Sequence, residues 1–393
     1  MISFEDACQR LERAAWRLGA ERVSLAEALD RVLASDVHAD ADVPPFNKSS
    51  MDGYACRAAD AFAPLRVIEH IPAGHMPARA ITPGTCSKIM TGAPVPEGAD
   101  CVLVVEEVEP CGEGLVRFTG GQVTRNICPA GEDVRAGDRV LSAGMRLRPQ
   151  RLPVLASAGC ARPEVYRRPR VAVLATGSEL VPPECAPGPG QIRDSNSTQI
   201  AALAREAGAA VTALGAAPDT PEALRAAWEG ALAAHDVVIS TGGVSMGDYD
   251  LVPGILADLG FTVHFDRVAI QPGKPVLFAT KGEQACFGLS GNPVSSFLQF
   301  TLFAAPFLWR LQGESGDLAR FPLLLGETFT RRNAARMGWV PVRLDDAGRA
   351  RALEFHGSAH IHALTRADAL IAYPPGADTL REGEIALAVL LRT

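Results

Sequence analysis

The segment VAVLATG (residues 171–177) is a continuous apolar run that closes on a threonine and a glycine. A strand with one face in water alternates apolar and polar residues, whereas an uninterrupted run is typical of a strand covered on both faces. DVVISTGG (236–243) is a second run of this kind, with helical sequence between the two. Strands of this type alternating with helices predict a doubly wound parallel sheet, which binds ligands at the carboxyl ends of its strands.

The surrounding sequence supplies the other elements of this sheet. AVTALGAAP (210–218) and ACFGLSG (285–291) read as further strands. The predicted helices are TQIAALAREAGA (198–209), starting between Asp194 and Ser197, TPEALRAAWEGALAAH (220–235), LVPGILADLG (251–260) and NPVSSFLQFTLF (292–303). Thr220 is a suitable N-cap for the second of these, and Pro221 fits its first helical position.

The rest of the chain has other residue patterns, and together they predict a multidomain protein with α/β and β-rich parts. SFEDACQRLERAAWRL (3–18) and SLAEALDRVLASDV (24–37) read as helices, the second with Ser24 as N-cap. Short β-type runs punctuated by proline and glycine follow, and ALIAYPPG (369–376) and EIALAVLL (384–391) read as strands near the end. We expect a helical and linker domain (1–42 with 138–168), a β-rich domain (43–137), the doubly wound α/β domain (169–315) and a small C-terminal β domain (316–393).

Composition narrows the class of protein. The chain of 393 residues is 47% apolar and 21% charged, which is ordinary for a soluble globular protein. Its net charge of −7 argues against nucleic-acid binding, and no apolar run is long enough to predict a membrane span. The first residues lack the features of a signal peptide. The nine cysteines are odd in number and include no CxxC pair, so we expect a cytoplasmic protein without a disulfide framework or a zinc site.

The loop STGGVSMGDYD (240–250) carries the strongest local signal for chemistry. Gly242, Gly243 and Gly247 let the backbone approach a ligand, and free amides in such a loop bind oxyanions. Asp248 and Asp250 follow, and carboxylates near phosphate commonly hold Mg²⁺. The structural alternative is that the two aspartates only cap the next helix.

Three further loops follow strands or turns of the α/β domain. Glu179 leaves the strand VAVLAT at its carboxyl end, and the alternative is a solvated turn residue. Lys274 in QPGKP (271–275) is held between two prolines, which suits an oxyanion, although an exposed hairpin lysine would look the same. LSGNPVSS (289–296) places Asn292 at a helix start, a position that favours anions.

The N-terminal half has loops with acidic or hydroxyl side chains that the fold does not obviously require. Asp52 in NKSSMDGYA, Thr91 in IMTGAPVPEGAD and Asp133 in AGEDVRAGD are the residues concerned, and each is equally readable as an ordinary turn or strand-end residue. HIH (360–362) has the alternation of a strand and lacks an evident third ligand, so we favour an interpretation without metal.

Together these segments resemble the molybdopterin molybdenumtransferase family, whose eukaryotic relatives include the gephyrin E domain. The matching motifs, in the family's order, are PPFNKSSMDGYA, IMTGAPVPEGADCVLVVEE, AGEDVRAG, VAVLATGSEL, GQIRDSN, ISTGGVSMGDYD, QPGKP, LSGNPVSS and HGSAHI. A short piece such as TGG is weak on its own. Nine motifs in order, spread over nearly the whole chain, are specific.

The resemblance implies a homodimer of four-domain protomers, with the active site between the doubly wound domain of one subunit and the β-rich domain of the other. It implies Mg²⁺-dependent insertion of molybdate into adenylated molybdopterin with release of AMP, and a contact with the adenylyltransferase that makes this substrate. The implied catalytic residues are Asp52, Asp133, Glu179 and Asp250; the implied metal ligands are Glu179, Asp248 and Asp250. The resemblance also implies Thr91, Asp219 and Ser358 as substrate-binding residues. To these we add Gly242, Gly243, Ser245, Lys274 and Asn292 from the loops described above as predicted substrate-binding residues.

The chain departs from the family's motifs at three positions. Cys128 stands where an arginine is usual, Gln271 where a lysine is frequent, and Ser290 where proline is usual. Arg267, a few residues upstream of Gln271, is a candidate replacement cation. Two other functions stay open: a non-catalytic protein that binds, stores or scaffolds molybdopterin, and the adenylyltransferase itself, whose fold resembles residues 170–312 but which would not need the first 160 residues.

Overall fold

The computed structural model describes residues 1–243, 251–354 and 357–391. The chain divides into two compact units. The first comprises residues 1–21, 30–34 and 164–393, and the second comprises residues 22–29 and 35–163. None of the helices in the described ranges combines the length and apolar character needed to span a lipid bilayer.

The first unit is built on a six-stranded sheet, here called the central sheet. In spatial order its strands are Ala210–Ala217, Arg170–Thr176, Val237–Thr241, Gln284–Leu289, Pro275–Lys281 and Thr262–Arg267. The first four run parallel, and each of the last two is antiparallel to the strand before it. The predicted doubly wound parallel sheet is therefore confirmed, with an antiparallel pair added at one edge.

The central sheet is buried on both faces, which accounts for the unbroken apolar runs. Successive side chains of a strand point to opposite faces. Val171 and Val173 accordingly lie in one apolar cluster, while Ala172 and Leu174 lie in another. The first cluster is completed by helices Phe4–Ala14, Asn196–Glu206 and Pro293–Gln299, the last continuing as the π-helical turn Phe300–Ala304 and helix Ala305–Leu311; the second cluster is completed by helices Pro221–Ala234 and Val252–Asp258.

Two of the predicted helix starts, at Thr220 and between Asp194 and Ser197, are confirmed. Thr220 Oγ1 accepts a hydrogen bond from Ala223 N at 3.3 Å, and Pro221 is the first helical residue. In the first turn of helix Asn196–Glu206, Asp194 Oδ1 accepts a hydrogen bond from Ser197 N at 2.9 Å. These side chains satisfy amide groups that the first helical turn leaves without partners.

A second sheet of the first unit, here called the C-terminal sheet, contains the two strands predicted near the chain's end. Its strands in spatial order are Ile270–Gln271, Met337–Leu344, Ala369–Tyr373, Ile385–Leu390 and Phe321–Leu324, with Ala350–Ala352 beside Met337–Leu344. Ile270 and Gln271 pair with Met337 and Gly338. Residues 271–275 therefore connect the C-terminal sheet with the central sheet.

Short elements complete the first unit. Its remaining strands are Glu164–Tyr166, Leu180–Val181, Ile192–Arg193, Phe329–Thr330 and Thr379–Leu380, and Ala20–Arg22 lies where the chain passes to the second unit. Ile361–Arg366 is a 3₁₀ helix with His360 as its N-cap. The prediction that HIH lies on a strand is therefore wrong, because bonds such as Ala363 N to His360 O satisfy this backbone within its own turns.

The second unit contains a mixed six-stranded sheet, in agreement with the β-rich sequence predicted for this region. Its strands in spatial order are Cys101–Val104, Gly53–Cys56, Thr85–Ile89, Leu65–Ile71, Leu115–Phe118 and Val108–Gly112. Its other elements are the strands Val37–His38, Lys48–Ser49, Ile127–Cys128 and Arg139–Leu141, the helix Leu152–Ser157, and the 3₁₀ turns Leu25–Glu27, Ala58–Asp60, Val105–Glu107 and Pro149–Arg151.

The second predicted N-terminal helix, at 24–37, is wrong. The capping box between Ser24 and Glu27 forms, yet the helix stops after the single turn Leu25–Glu27. Asp30 then adopts a left-handed φ of 59°, and Leu33 pairs with Val165 as an isolated bridge. Val32 and Leu33 are both fully buried, so pairing with residues 164–166 outweighs the local preference for helix.

A buried aspartate fixes the entry to the strand Val237–Thr241. Asp236 accepts hydrogen bonds from both terminal nitrogens of Arg167, at 2.6 and 3.0 Å, and from the backbone N–H of Arg170 at 2.8 Å. Burial alone would raise the pKa of this carboxyl, but the hydrogen bonds from Arg167 and Arg170 outweigh burial and hold the pKa well below its ordinary value.

We expect Asp236→Ala to lower the free energy of unfolding by about 2–3 kcal/mol, because hydrogen bonds to a buried charge are lost. Since the pKa of Asp236 is lower in the folded state, its stabilisation is full above the ordinary aspartate pKa and is lost as pH falls through and below that value. Urea unfolding at pH 7 and pH 3 measures both effects. If the free energy of unfolding differs between the native protein and Asp236→Ala by the same amount at both pH values, this assignment is contradicted.

Candidate active site

Two glycines end the strand Val237–Thr241 at the carboxyl edge of the central sheet. Gly242 and Gly243 have φ values of +88° and +66°, which side chains rarely allow. A Cβ atom on Gly242 would also lie 2.5 Å from the carbonyl oxygen of Thr176. The Gly242 N–H donates to Leu289 O at 3.0 Å, which ties this turn to the neighbouring strand's end. Glycine is thus required here by the backbone itself.

A cavity of about 680 Å³ opens beside these glycines, within the first unit. Five of the substrate-binding residues implied by the sequence line it: Gly242, Gly243, Lys274, Asn292 and Ser358. They come from three loops at the edge of the central sheet and from the segment before the 3₁₀ helix. The structure therefore brings together residues that lie more than a hundred positions apart in the sequence.

Lys274 is the cation of this cavity that the sequence indicated. Its turn follows the cis peptide bond between Gln271 and Pro272, and its carbonyl oxygen accepts from Val268 N at 3.0 Å. Asn292, which also lines the cavity, precedes helix Pro293–Gln299. Val294 N donates to Ser358 O at 3.0 Å, which fixes the segment of Ser358 against the start of that helix.

Glu179 and Asp219 lie at the same edge of the central sheet, after the strands Arg170–Thr176 and Ala210–Ala217. Asp219 is hydrogen-bonded to the Glu179 loop through Ser178: the Ser178 N–H donates to Asp219 Oδ2 at 3.3 Å, and Asp219 N donates to Ser178 Oγ at 3.4 Å. Neither Glu179 nor Asp219 lines the cavity. The two acids form a second group on this edge.

The remaining predicted residues of the first unit, Ser245, Asp248 and Asp250, lie outside the described residues. Glu179 is thus the one implied metal ligand whose position is described. Within residues 1–243, 251–354 and 357–391, no three His, Cys, Asp or Glu side chains come together as a metal-binding group. A metal site with Glu179 would depend on the carboxylates of the loop after Gly243, and it stays a proposal.

The predicted residues of the second unit occupy two places. Asp52 Oδ1 accepts from both the N–H and the hydroxyl of Thr91, each at 2.7 Å. These two bonds hold the pKa of the Asp52 carboxyl below its ordinary value, so it is ionised at neutral pH. Asp133 lines a separate cavity of about 500 Å³, together with Asp138 and Arg139.

Comparison with known proteins gives relatives along the whole chain. The protein is 34% identical to a molybdopterin molybdenumtransferase of Staphylococcus epidermidis over 402 residues, covering 99% of this chain and 95% of the relative. It is also 34% identical to the Bacillus subtilis protein of the same name over 416 residues, covering 100% and 94%. The chain belongs to the molybdopterin molybdenumtransferase family.

Family models and a solved structure extend this assignment to the fold. Residues 2–159 match the MoeA N-terminal region (domain I and II), residues 172–310 match the probable molybdopterin binding domain, and residues 327–391 match the MoeA C-terminal region (domain IV). The crystal structure of a molybdopterin biosynthesis MoeA protein from Pyrococcus horikoshii superposes with a TM-score of 0.83 at 30% identity, covering 100% of both chains. The multidomain architecture of this molybdopterin molybdenumtransferase family member is thereby confirmed.

The residues of the cavity wall that come from the C-terminal sheet or its approach, among them two arginines and a tryptophan, were not predicted from the sequence. Arg331, Arg336 and Trp339 all come from the C-terminal sheet or its approach. Arg331 is held by carbonyl groups, with Nε donating to Ala377 O at 2.7 Å, and Arg336 Nη1 donates to Ile270 O at 3.1 Å. For the two arginines the only sequence signal was their charge, and Trp339 offered none. No sequence motif contains both these residues and Lys274, because they reach the cavity only through the folding of the C-terminal sheet.

The three departures from the family's motifs are also placed by the structure. Gln271 and Ser290 line the cavity. Cys128 lies in the second unit beside Glu132, whose carboxylate raises the pKa of the thiol. Arg267, the candidate replacement for a lost cation, does not line the cavity and instead lies 3.7 Å from Asp266. Around this cavity, the positive charges of the described residues are those of Lys274, Arg331 and Arg336.

Proposed function

We propose that this protein is a molybdopterin molybdenumtransferase that inserts molybdate into adenylated molybdopterin and releases AMP, in the biosynthesis of the molybdenum cofactor. The observation that carries the proposal is the cavity at the carboxyl edge of the central sheet, lined by Gly242 and Gly243 and by Lys274, Arg331 and Arg336. A protein of net charge −7 repels a polyanion, so local cations must bind it. These residues supply that local charge.

The wall of the cavity also contains polar groups suited to a heterocycle. Gln271 Oε1 and Trp339 Nε1 are buried and make no hydrogen bond with any described residue. One is an acceptor and the other a donor, and such unpaired groups are costly unless a ligand satisfies them. A pterin ring offers both donors and acceptors, which supports molybdopterin as the ligand class.

Within this proposal the chain's own groups bind and orient the substrate. Lys274 and Arg336 would neutralise its phosphate charge, and the backbone at Gly242 and Gly243 would approach its oxyanions. Mg²⁺, held by carboxylate oxygens of Glu179, Asp248 and Asp250, would add charge neutralisation at the phosphoanhydride when bound. The donor set is chemically apt, since Mg²⁺ prefers carboxylate ligands.

The acids of the second unit would complete the site from a second copy of the chain. We propose a homodimer in which the partner subunit's Asp52, Thr91 and Asp133 handle molybdate or its activating water. An ionised Asp52 that is fixed by two hydrogen bonds from Thr91 is suited to orient a water molecule. We also propose a cytoplasmic location and a transient contact with the adenylyltransferase.

The test is turnover by the purified protein. Adenylated molybdopterin, molybdate and Mg²⁺ are mixed with the protein, and AMP is measured by chromatography. Molybdate-dependent release of AMP that stops on chelation of Mg²⁺ is the expected result. Tight binding without release would instead support a storage or scaffold protein, and ATP-dependent formation of the adenylated pterin would support an adenylyltransferase.

A further inference from the structure

A single buried glutamine connects the loops of the cavity. Gln299 is the last residue of helix Pro293–Gln299 and is completely inaccessible to solvent. Its Nε2 donates to Gly273 O at 2.8 Å and to Pro275 O at 2.6 Å. Its Oε1 accepts from Ser290 N at 2.7 Å. These three hydrogen bonds, here called the Gln299 bridge, use both polar atoms of the side chain.

The first two bonds of the Gln299 bridge fix the turn that carries Lys274. Gly273 and Pro275 are the residues on either side of Lys274, so both flanking carbonyl groups are held by one amide. In a trans peptide the C=O and N–H groups point in opposite directions, so the N–H of Lys274 is directed away from Gln299. Gly273 has a φ of +96°, and a Cβ atom there would lie 3.0 Å from Gln299 Nε2. Its conformation and lack of a side chain permit this close approach.

The third bond connects this turn to the other two loops. Ser290 N–H donates to Gln299, and the carbonyl of the same peptide unit, Leu289 O, accepts from Gly242 N at 3.0 Å. One peptide unit is therefore held between Gln299 on one side and the glycine turn on the other. The segments 242–243, 271–275 and 290–292, which all line the cavity, thus form one hydrogen-bonded network.

We infer that Gln299 is a positioning residue for anion binding: it sets the Lys274 turn and the glycine turn at a fixed distance from one another before the substrate arrives. Gln299 is buried and does not line the cavity, so it would act through the loops that do. Preorganised groups bind an oxyanion without the cost of ordering the loops at the moment of binding. The identity of the ligand in this inference rests on the proposed function. The role of the Gln299 bridge in fixing the loops does not.

The test replaces Gln299 with methionine, which has a similar length and forms none of the three bonds. We expect the KM for adenylated molybdopterin to rise about tenfold or more, with a smaller change in kcat, because the buried bonds that order both loops are lost. We also expect faster amide hydrogen exchange at Ser290 and Gly242. Exchange is read by mass spectrometry on fragments covering 240–243 and 289–292.

Gln312→Met is the matched control. Gln312 is also a buried helix-terminal glutamine, and its Nε2 donates to Ala207 O at 2.9 Å and Leu308 O at 3.0 Å, away from the cavity. We expect this variant to lose comparable stability while its KM stays within about twofold of native. An equal rise in KM in both variants would show a general loss of stability and would overturn the inference.

The AMP-release and amide-exchange measurements distinguish a failure of this inference from a failure of the proposed function. If the native protein releases no AMP, the proposed function fails, and amide exchange at Ser290 still decides the role of Gln299. Native-like exchange in Gln299→Met, or native-like KM in an active protein, overturns the positioning role. Should Gln299→Met not fold, Gln299→Glu takes its place: it has the same length and keeps an acceptor for the Ser290 N–H, but it lacks the amide that donates to both Gly273 O and Pro275 O. The inference requires that this variant also raise the KM.

Discussion

Replacing Lys274 with methionine is expected to lower kcat/KM for AMP release by about 10²–10³-fold, because a fixed cation is removed from a site that binds a polyanion. Lys274 lines the cavity, and the bonds from Gln299 to Gly273 O and Pro275 O fix the backbone on either side of it, so the turn need not be ordered when the substrate binds. The measurement is steady-state AMP release at several concentrations of adenylated molybdopterin, with saturating molybdate and Mg²⁺.

Lys281→Met supplies the control on the same strand. Lys281 ends the strand Pro275–Lys281 at its opposite end, is exposed, and donates to Leu259 O at 2.8 Å. Removing it changes the net charge by the same amount, so a general electrostatic effect would lower kcat/KM in both variants alike. If Lys281→Met matches Lys274→Met, or if Lys274→Met keeps native kcat/KM, the cavity does not bind the substrate's phosphates.

The fold was predictable where sequence pattern and burial share one cause. The run VAVLAT is unbroken because Val171 and Val173 face one apolar cluster while Ala172 and Leu174 face the other. The strand Thr262–Arg267 went unpredicted, because this edge strand carries mixed sequence without such a run. Pro275–Lys281 also went unpredicted, although residues 276–279 form a buried apolar run of the same kind. The helix expected at 24–37 failed because long-range pairing of Leu33 with Val165 leaves no local trace.

The candidate site divides in the same way. Gly242 and Lys274 were predictable, since glycines after a buried strand and a lysine between prolines are local signals. Arg336 was not, because the pairing of Ile270 with Met337 brings it to the cavity from another sheet. Gln299 was invisible for a different reason. A glutamine in an apolar helix looks like a solvated position, and only the folded chain shows that its amide is fully buried and fully hydrogen-bonded.

Asp250→Ala should leave the protein folded and lower kcat for AMP release by about a hundredfold or more, since a metal ligand contributes several kcal/mol of charge stabilisation to phosphoanhydride cleavage. Asp250 itself lies outside the described residues. The expectation therefore rests on its place in the loop that begins at Gly242 and Gly243, at the edge where Glu179 and Asp219 also lie. Turnover is measured as a function of Mg²⁺ concentration, and folding by thermal unfolding.

Asp258→Ala distinguishes a metal ligand from a nearby structural acid. Asp258 ends helix Val252–Asp258, just after the same loop, and forms a salt bridge with Arg225. It is exposed, so its loss should change stability little and leave the Mg²⁺ dependence as it is. A metal ligand has the opposite signature: in Asp250→Ala more Mg²⁺ should be needed for half-maximal rate, while unfolding stays native. Unchanged turnover and unchanged Mg²⁺ dependence in Asp250→Ala would exclude it as a ligand and leave Glu179 and Asp248 as the acids to test.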